Sequence, residues 1–355
     1  MQVNTEYFDY RLTPPADERF ADRSAFAPEV LETARRVYPA LLSWSKRYPV
    51  MLPAHLPSVV YGCADMCPAS SDRSVELSTI LCMIIFAIDD LVDGSIDSLT
   101  DAQAFAFLSR CADIASTGGD CDARDGSESS APFPDMNEHR SWVQVFRALS
   151  EFCGAFSTSS AYRLFVFNFC GCVEGMATEL RWRAAYRSTR ELPTYDQYAQ
   201  TGALSIGAPA LWSALFCLDG LELVASAEVD PRAHEQLHLA ITLAGGLCVR
   251  LMNDYRSFKR ETLFEEKPNS VLILKALQNA SEREAIEQVL RFNKRSYEQL
   301  LELNSKLPSR LSGWGTSVSR FVRFTADWYL SRELHHVPED LMRFLKSGSE
   351  KPNTP

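Results

Sequence analysis

The chain has 355 residues, 46% of them apolar, and a formal charge of −10. That is enough apolar material for a sizeable core, and the acidic balance excludes nucleic acid as a partner, because a phosphate backbone needs a basic face. A small diphosphate stays open as a ligand, since its charge can be met locally by cations.

The first 25 residues are polar, contain Pro14-Pro15 and read as an N-terminal arm. Met1 to Glu6 offers neither a basic nor an apolar leader, so a cytoplasmic location is expected. Ten cysteines then read as reduced thiols of a core, and their spacing matches no zinc site. From residue 26 to 345 the pattern is that of one all-α domain. Apolar periodicity predicts helices at about 28–47, 71–94, 100–116, 140–159, 161–190, 195–219, 232–262, 268–278, 281–305 and 312–333. Residues 116–139, rich in Gly, Ser and acidic side chains, read as a flexible insertion loop, and 346–355 as a disordered tail. The strongly apolar run at 80–88 is too short to span a bilayer, so no membrane span is expected.

Two acidic clusters carry the chemistry. In the first, the apolar run Ile80 to Ile88 meets Asp89, Asp90 and Asp93. The second comprises Asn253, Asp254, Ser257 and Glu261. Helical spacing places Asp89 with Asp93, and Asn253 with Ser257 and Glu261, on single faces. Carboxylates beside a buried segment repel one another unless cations neutralise them. Hard oxygen donors in this pattern suit Mg²⁺, which takes one or two protein carboxylates and completes its shell with water and phosphate. A helix running from core into solvent would explain the first cluster alone; the pair of clusters points to a metal-held diphosphate.

Asp89-Asp90-Leu91-Val92-Asp93 and Asn253-Asp254-Tyr255-Arg256-Ser257-Phe258-Lys259-Arg260-Glu261 resemble the DDxxD and NDxxSxxxE motifs of class I terpene cyclases of the microbial single-domain type. The resemblance implies a barrel of helices around an apolar cavity, with three Mg²⁺ ions at its mouth. Asp89, Asp90 and Asp93 would serve two ions, and Asn253, Ser257 and Glu261 the third. Arg260 and Arg332 would bind the diphosphate, with Asp89, Asn253, Ser257, Glu261 and Arg260 forming the catalytic set. The substrate would be a linear prenyl diphosphate, geranylgeranyl slightly favoured over farnesyl, and the protein a monomer or homodimer.

The chain departs from that family in two places. Residues 191–231 contain no Arg or Lys, where such enzymes commonly carry a diphosphate-sensing Arg on a broken helix. Tyr198–Pro209, interrupted by glycines and a proline, resembles that broken helix and those of some microbial diterpene cyclases, and Arg183 or Arg187 could replace the sensor. Arg332 is followed by Glu333 rather than by the usual Tyr. Among aromatics, Phe86, Trp212, Phe216, Phe324 and Trp328 are candidates for the cavity wall, where a ring face would stabilise a cation by ~2 kcal/mol when desolvated. Such stripes are more often plain core. A chain-elongating prenyltransferase is an alternative, although it would show a second DDxxD; a non-catalytic helical binding protein is another.

Overall fold

A computed structural model describes residues 26–68, 70–97, 99–120, 140–221, 231–332 and 336–347. The expected N-terminal arm, residues 121–139 of the expected insertion, and the tail beyond Ser347 lie outside the described residues.

Several helix starts are written in capping side chains, which satisfy backbone N–H groups that have no partner within the helix. Ser71 accepts from Ser74 N at 3.1 Å and opens α3 (Asp72–Val92). Thr100 with Gln103, Thr194 with Gln197 and Ser281 with Glu284 form reciprocal capping boxes. They open α4 (Asp101–Ser116), α7 (Tyr195–Ser205) and α11 (Glu282–Ser305). Asn269 accepts from Val271 N at 2.9 Å and opens α10 (Ser270–Gln278). The other helices are α1 (Pro28–Arg47), α2 (Leu56–Met66), α5 (Ser141–Gly154), α6 (Tyr162–Thr189), α8 (Ala208–Leu218), α9 (Pro231–Arg260), α12 (Ser312–Ser331) and α13 (Glu339–Ser347). No strand occurs among the described residues.

The structure differs from the sequence reading in instructive ways. Helix α2 was not expected; every one of its residues is buried, so it has no polar face to create a period. Helix α13 was not expected either, and it includes Lys346 and Ser347 of the supposed tail. The break expected within 195–219, where glycines and Pro209 interrupt the pattern, is present: the segment is two helices, parted where Gly207 takes a left-handed φ of +76°. By length and hydropathy (1.5) the span Tyr195–Leu218 could cross a membrane, but 78% of that apolar window is buried within the fold. It is a central core pair.

Helices α2, α3, α6, α7, α8, α9 and α12 surround a common pocket. Close approach of α9 to the α7–α8 break depends on Gly245 and Gly246. A Cβ on Gly245 would lie 2.7 Å from the buried Trp212 ring, and one on Gly246 would lie 2.2 Å from the Ala203 carbonyl oxygen. Backbone cannot step aside as a side chain can. Gly246→Ala is therefore expected to cost about 1–3 kcal/mol of stability by overpacking, read from urea unfolding; an unchanged midpoint would show that α9 has slack at this crossing.

Candidate active site

Helix α3 and its C-cap carry Asp89, Asp90 and Asp93 to one side of the pocket mouth, and the end of α9 with the turn just beyond it carries Asn253, Ser257 and Glu261 to the other. Three adjoining chambers lead inward. The outer one, about 500 Å³, is lined by all six of these residues together with Arg183, Arg187, Arg256, Arg260 and Lys267. A middle chamber of about 140 Å³ retains Asp89, Asp93, Asn253, Glu261, Arg183 and Lys267 and adds Glu179, Tyr198 and Arg250. The innermost, about 60 Å³, is apolar and lies between Val59, Ile85, Ile206, Leu211 and Phe324. Phe86 and Tyr329 line all three. Charge is thus sorted to one end and hydrocarbon to the other.

The carboxylates sit at a real electrostatic cost. Asp89 is solvent-exposed at the pocket mouth, yet the loss of hydration to the surrounding protein, with repulsion from Asp93, pushes its carboxyl up to about 8. Burial, then Asp93, pushes Asp90 up to about 6. Glu261 is raised by burial and by Asp254. Its Oε2 accepts a bond from Asn269 Nδ2 at 2.7 Å, which fixes its direction. Burial alone would lower the Lys267 ammonium, but Asp93, Asp89, Glu261 and Glu265 more than offset it and hold it above the ordinary lysine value. Among the described residues no three His, Cys, Asp or Glu side chains close on one point as a cage. The donor set nevertheless suits Mg²⁺: hard oxygens on two facing walls, mutually repelling, with an ammonium already drawn in among them.

A buried network beneath the motif holds α9 in register. Asp254 is fully buried and accepts from Tyr198 Oη at 3.0 Å and from Ser270 N at 3.2 Å, and it pairs with Arg250 Nε at 2.9 Å. Arg250 also pairs with Glu179 at 3.0 Å, and Ser205 Oγ donates to Glu179 Oε1 at 2.5 Å. Asp254 is therefore spent on structure while Asn253 faces the pocket.

Not every expected residue arrives. Arg332 lines none of the three chambers; it ends α12, lies 5.1 Å over the Trp328 ring and donates to Ser331 Oγ. Trp212 and Phe216 are fully buried behind the pocket. Trp212 packs edge-on to Phe321, and Phe216 packs against His238 and Trp314. Trp328 backs Phe324 at 5.4 Å without reaching the lining. Helix periodicity put these rings on inward faces but could not tell the first layer from the second. Arg260 does line the outer chamber, paired with Glu265. Lys267, Arg250 and Tyr198 were missed. The one cue to Lys267 was its place just after the second motif, before Pro268.

A family model described as terpene synthase family 2, C-terminal metal binding, matches residues 81–299. The chain belongs to this family. Among solved structures, a linalool/nerolidol synthase from Streptomyces clavuligerus, held with 2-fluorogeranyl diphosphate, superposes with a TM-score of 0.64 at 18% identity, over 86% of this chain and 100% of that one. Abietadiene synthase from Abies grandis gives 0.64 at 16% identity, over 92% of this chain and 41% of that one. These terpene synthases share the fold. An ent-kaurene synthase-like protein from Ricinus communis is 31% identical over 144 residues, which is 38% of this chain and 18% of that relative's length.

Asp89→Asn removes one of the repelling charges. It is expected to raise the melting temperature of chelator-treated protein at pH 8, by about 2–4 °C per kcal/mol of relieved repulsion, while shrinking the further rise on adding Mg²⁺. A fall in the first melting temperature, or an undiminished response to Mg²⁺, would contradict this account.

Proposed function

We propose that this terpene synthase family member ionises a linear prenyl diphosphate with Mg²⁺ and cyclises the hydrocarbon, releasing diphosphate. The observation that carries the reading is the facing of two oxygen-ligand motifs across a mouth whose floor is apolar. Asp89, Asp90 and Asp93 on one wall, and Asn253, Ser257 and Glu261 on the other, would hold the ions. Bound there, Mg²⁺ would supply the Lewis acidity that lets the diphosphate depart.

The protein's own residues account for the rest. Arg183, Arg187, Arg256, Arg260 and Lys267 line the charged chamber and can donate to phosphate oxygens, orienting the leaving group. The prenyl tail would run inward past Phe86 and Tyr329 to the apolar chamber. There Ile85, Ile206, Leu211 and Phe324 fold the chain and exclude water from a reactive cation. The rings of Phe86 and Phe324, which line this chamber, would lower the energy of positive charge on the folded chain. Geranylgeranyl diphosphate is slightly favoured over farnesyl on the resemblance of the broken segment Tyr198–Pro209 to those of some microbial diterpene cyclases.

The test is incubation with geranyl, farnesyl, geranylgeranyl and geranylfarnesyl diphosphates, with and without Mg²⁺, followed by gas chromatography–mass spectrometry and an assay of released diphosphate. A cyclic product from one chain length, formed only with Mg²⁺, is expected. Longer linear products would indicate chain elongation, and no turnover would indicate a binding protein. Phe324 packs so closely on α2 that a Cβ on Gly62 would meet its ring at 2.4 Å. Phe324→Ala is therefore expected to redistribute products while leaving the Mg²⁺ requirement intact; an unaltered product profile would return Phe324 to a purely structural role.

A further inference from the structure

Asp93 is held from two sides. Arg183 Nη1 donates to its Oδ1 at 2.6 Å, and Arg183 Nη2 donates to the Val92 carbonyl at 3.1 Å. Lys267 Nζ donates to Asp93 Oδ2 and lies 3.0 Å from Glu265 Oε2. Three segments distant in sequence therefore meet at one carboxylate: α3, α6 and the turn that follows α9.

That turn is shaped for the contact. Beyond Arg260 the helix widens into a π-turn, Glu261–Glu265, and Glu266 takes a left-handed φ of +53°. A non-glycine residue held there is a strained feature that the surroundings must maintain. Lys267 N then bonds back to the Glu261 carbonyl at 3.0 Å, and the side chain returns into the pocket. Lys267 and Arg183 both line the outer and the middle chamber. Both side chains are largely enclosed, at 22% and 11% exposure, whereas Arg260 at the rim is 45% exposed.

As the side chains stand, both oxygens of Asp93 are taken by protein cations. A divalent cation at the α3 carboxylates must compete with Lys267 for the same oxygens, and it repels the ammonium at short range. A diphosphate does the opposite, since it draws both cations toward itself. We propose that Lys267 and Arg183 form a transferable clamp, which holds Asp93 until a diphosphate enters and then passes to the phosphate oxygens. They would thereby supply the contacts that residues 191–231, devoid of Arg and Lys, do not. The inference rests on the reading of this pocket as a diphosphate site and adds which residues receive the diphosphate and what they release.

The clamp makes the two ligands respond to Lys267 with opposite sign. Removing its charge frees Asp93 Oδ2, although Arg183 still holds Oδ1, so Mg²⁺ alone should bind severalfold more tightly. The same change should weaken inorganic diphosphate, measured at saturating Mg²⁺, by about 10- to 100-fold, the scale of a lost charged hydrogen bond. A residue that only braced the turn would move both affinities the same way.

The experiment is calorimetric titration of the full chain, after chelator treatment, first with Mg²⁺ and then with inorganic diphosphate. Wild type is compared with Lys267→Met, and with Lys267→Gln should the first variant fail to fold. Lys267→Arg keeps the charge and is expected to restore both affinities toward wild type. Opposite shifts in the charge-removing variant, with rescue by Arg, support the clamp. Parallel losses, unchanged diphosphate binding, or no rescue by Arg overturn it. Wild type that binds no diphosphate even with Mg²⁺ would instead sink the functional reading, and the clamp with it.

Discussion

Everything at the mouth of this pocket turns on negative charge gathered where protein encloses it. Asp89, Asp90, Asp93, Glu179 and Glu261 converge on chambers whose inner end is hydrocarbon. A carboxylate there loses hydration that neighbouring protein does not replace, and its neighbours are of the same sign. Such a cluster is stable only with cations among it. Arg183, Arg250 and Lys267 supply them as protein side chains, and the proposed chemistry would supply more.

Helix α9 reconciles two demands that conflict. Residues used for a ligand must stay open to the pocket, and the helix bearing them must not move. The chain separates the tasks by adjacent positions. Asn253 faces the pocket, while Asp254, rotated round the helix, is fully buried against Tyr198, Arg250 and the Ser270 backbone. Asn269 ties the end of the motif down by donating to both Glu261 and the Asp254 carbonyl. Breaking one partner of such an enclosed network leaves another charge uncompensated, so its members hold one another in place.

What was legible in the sequence follows from what is local. The i, i+4 spacing of Asn253 and Ser257 is a property of one helix and so survives into the fold, and Glu261, the first residue of the π-turn that continues it, still lines the same pocket. Caps such as Thr100 with Gln103 are local too, and the helix starts they mark agree with the expected ones to within a residue or two. Helix α2 was hidden because burial on every side erases periodicity. The aromatic stripe of α12 put Phe321, Phe324 and Trp328 on one face, yet only the neighbouring helices decide that Phe324 lines the cavity and Trp328 stands behind it. Lys267 was illegible for the same reason. Beyond its place just after the second motif, nothing among 36 lysines and arginines marks it, because its position is made by a π-turn and a left-handed Glu266, neither of which has a strong sequence signal.

The break between α7 and α8 shows how one backbone feature serves both ends of the pocket. Before it, Tyr198 and Ser205 bond into the charged network, reaching Asp254 and Glu179. After it, Ala208 and Leu211 line the apolar chamber, and Gly207 lies so close to α3 that a Cβ would meet Ile85 at 2.8 Å. An unbroken helix would carry one direction through the wall. Two half-helices, joined at a glycine with positive φ, both pack on α6 and α9 while the second also packs on α3. The polar and apolar chambers therefore share a wall whose two halves run in different directions. A substrate with a charged head and a hydrocarbon tail is the shape of ligand that such a wall can orient in only one direction.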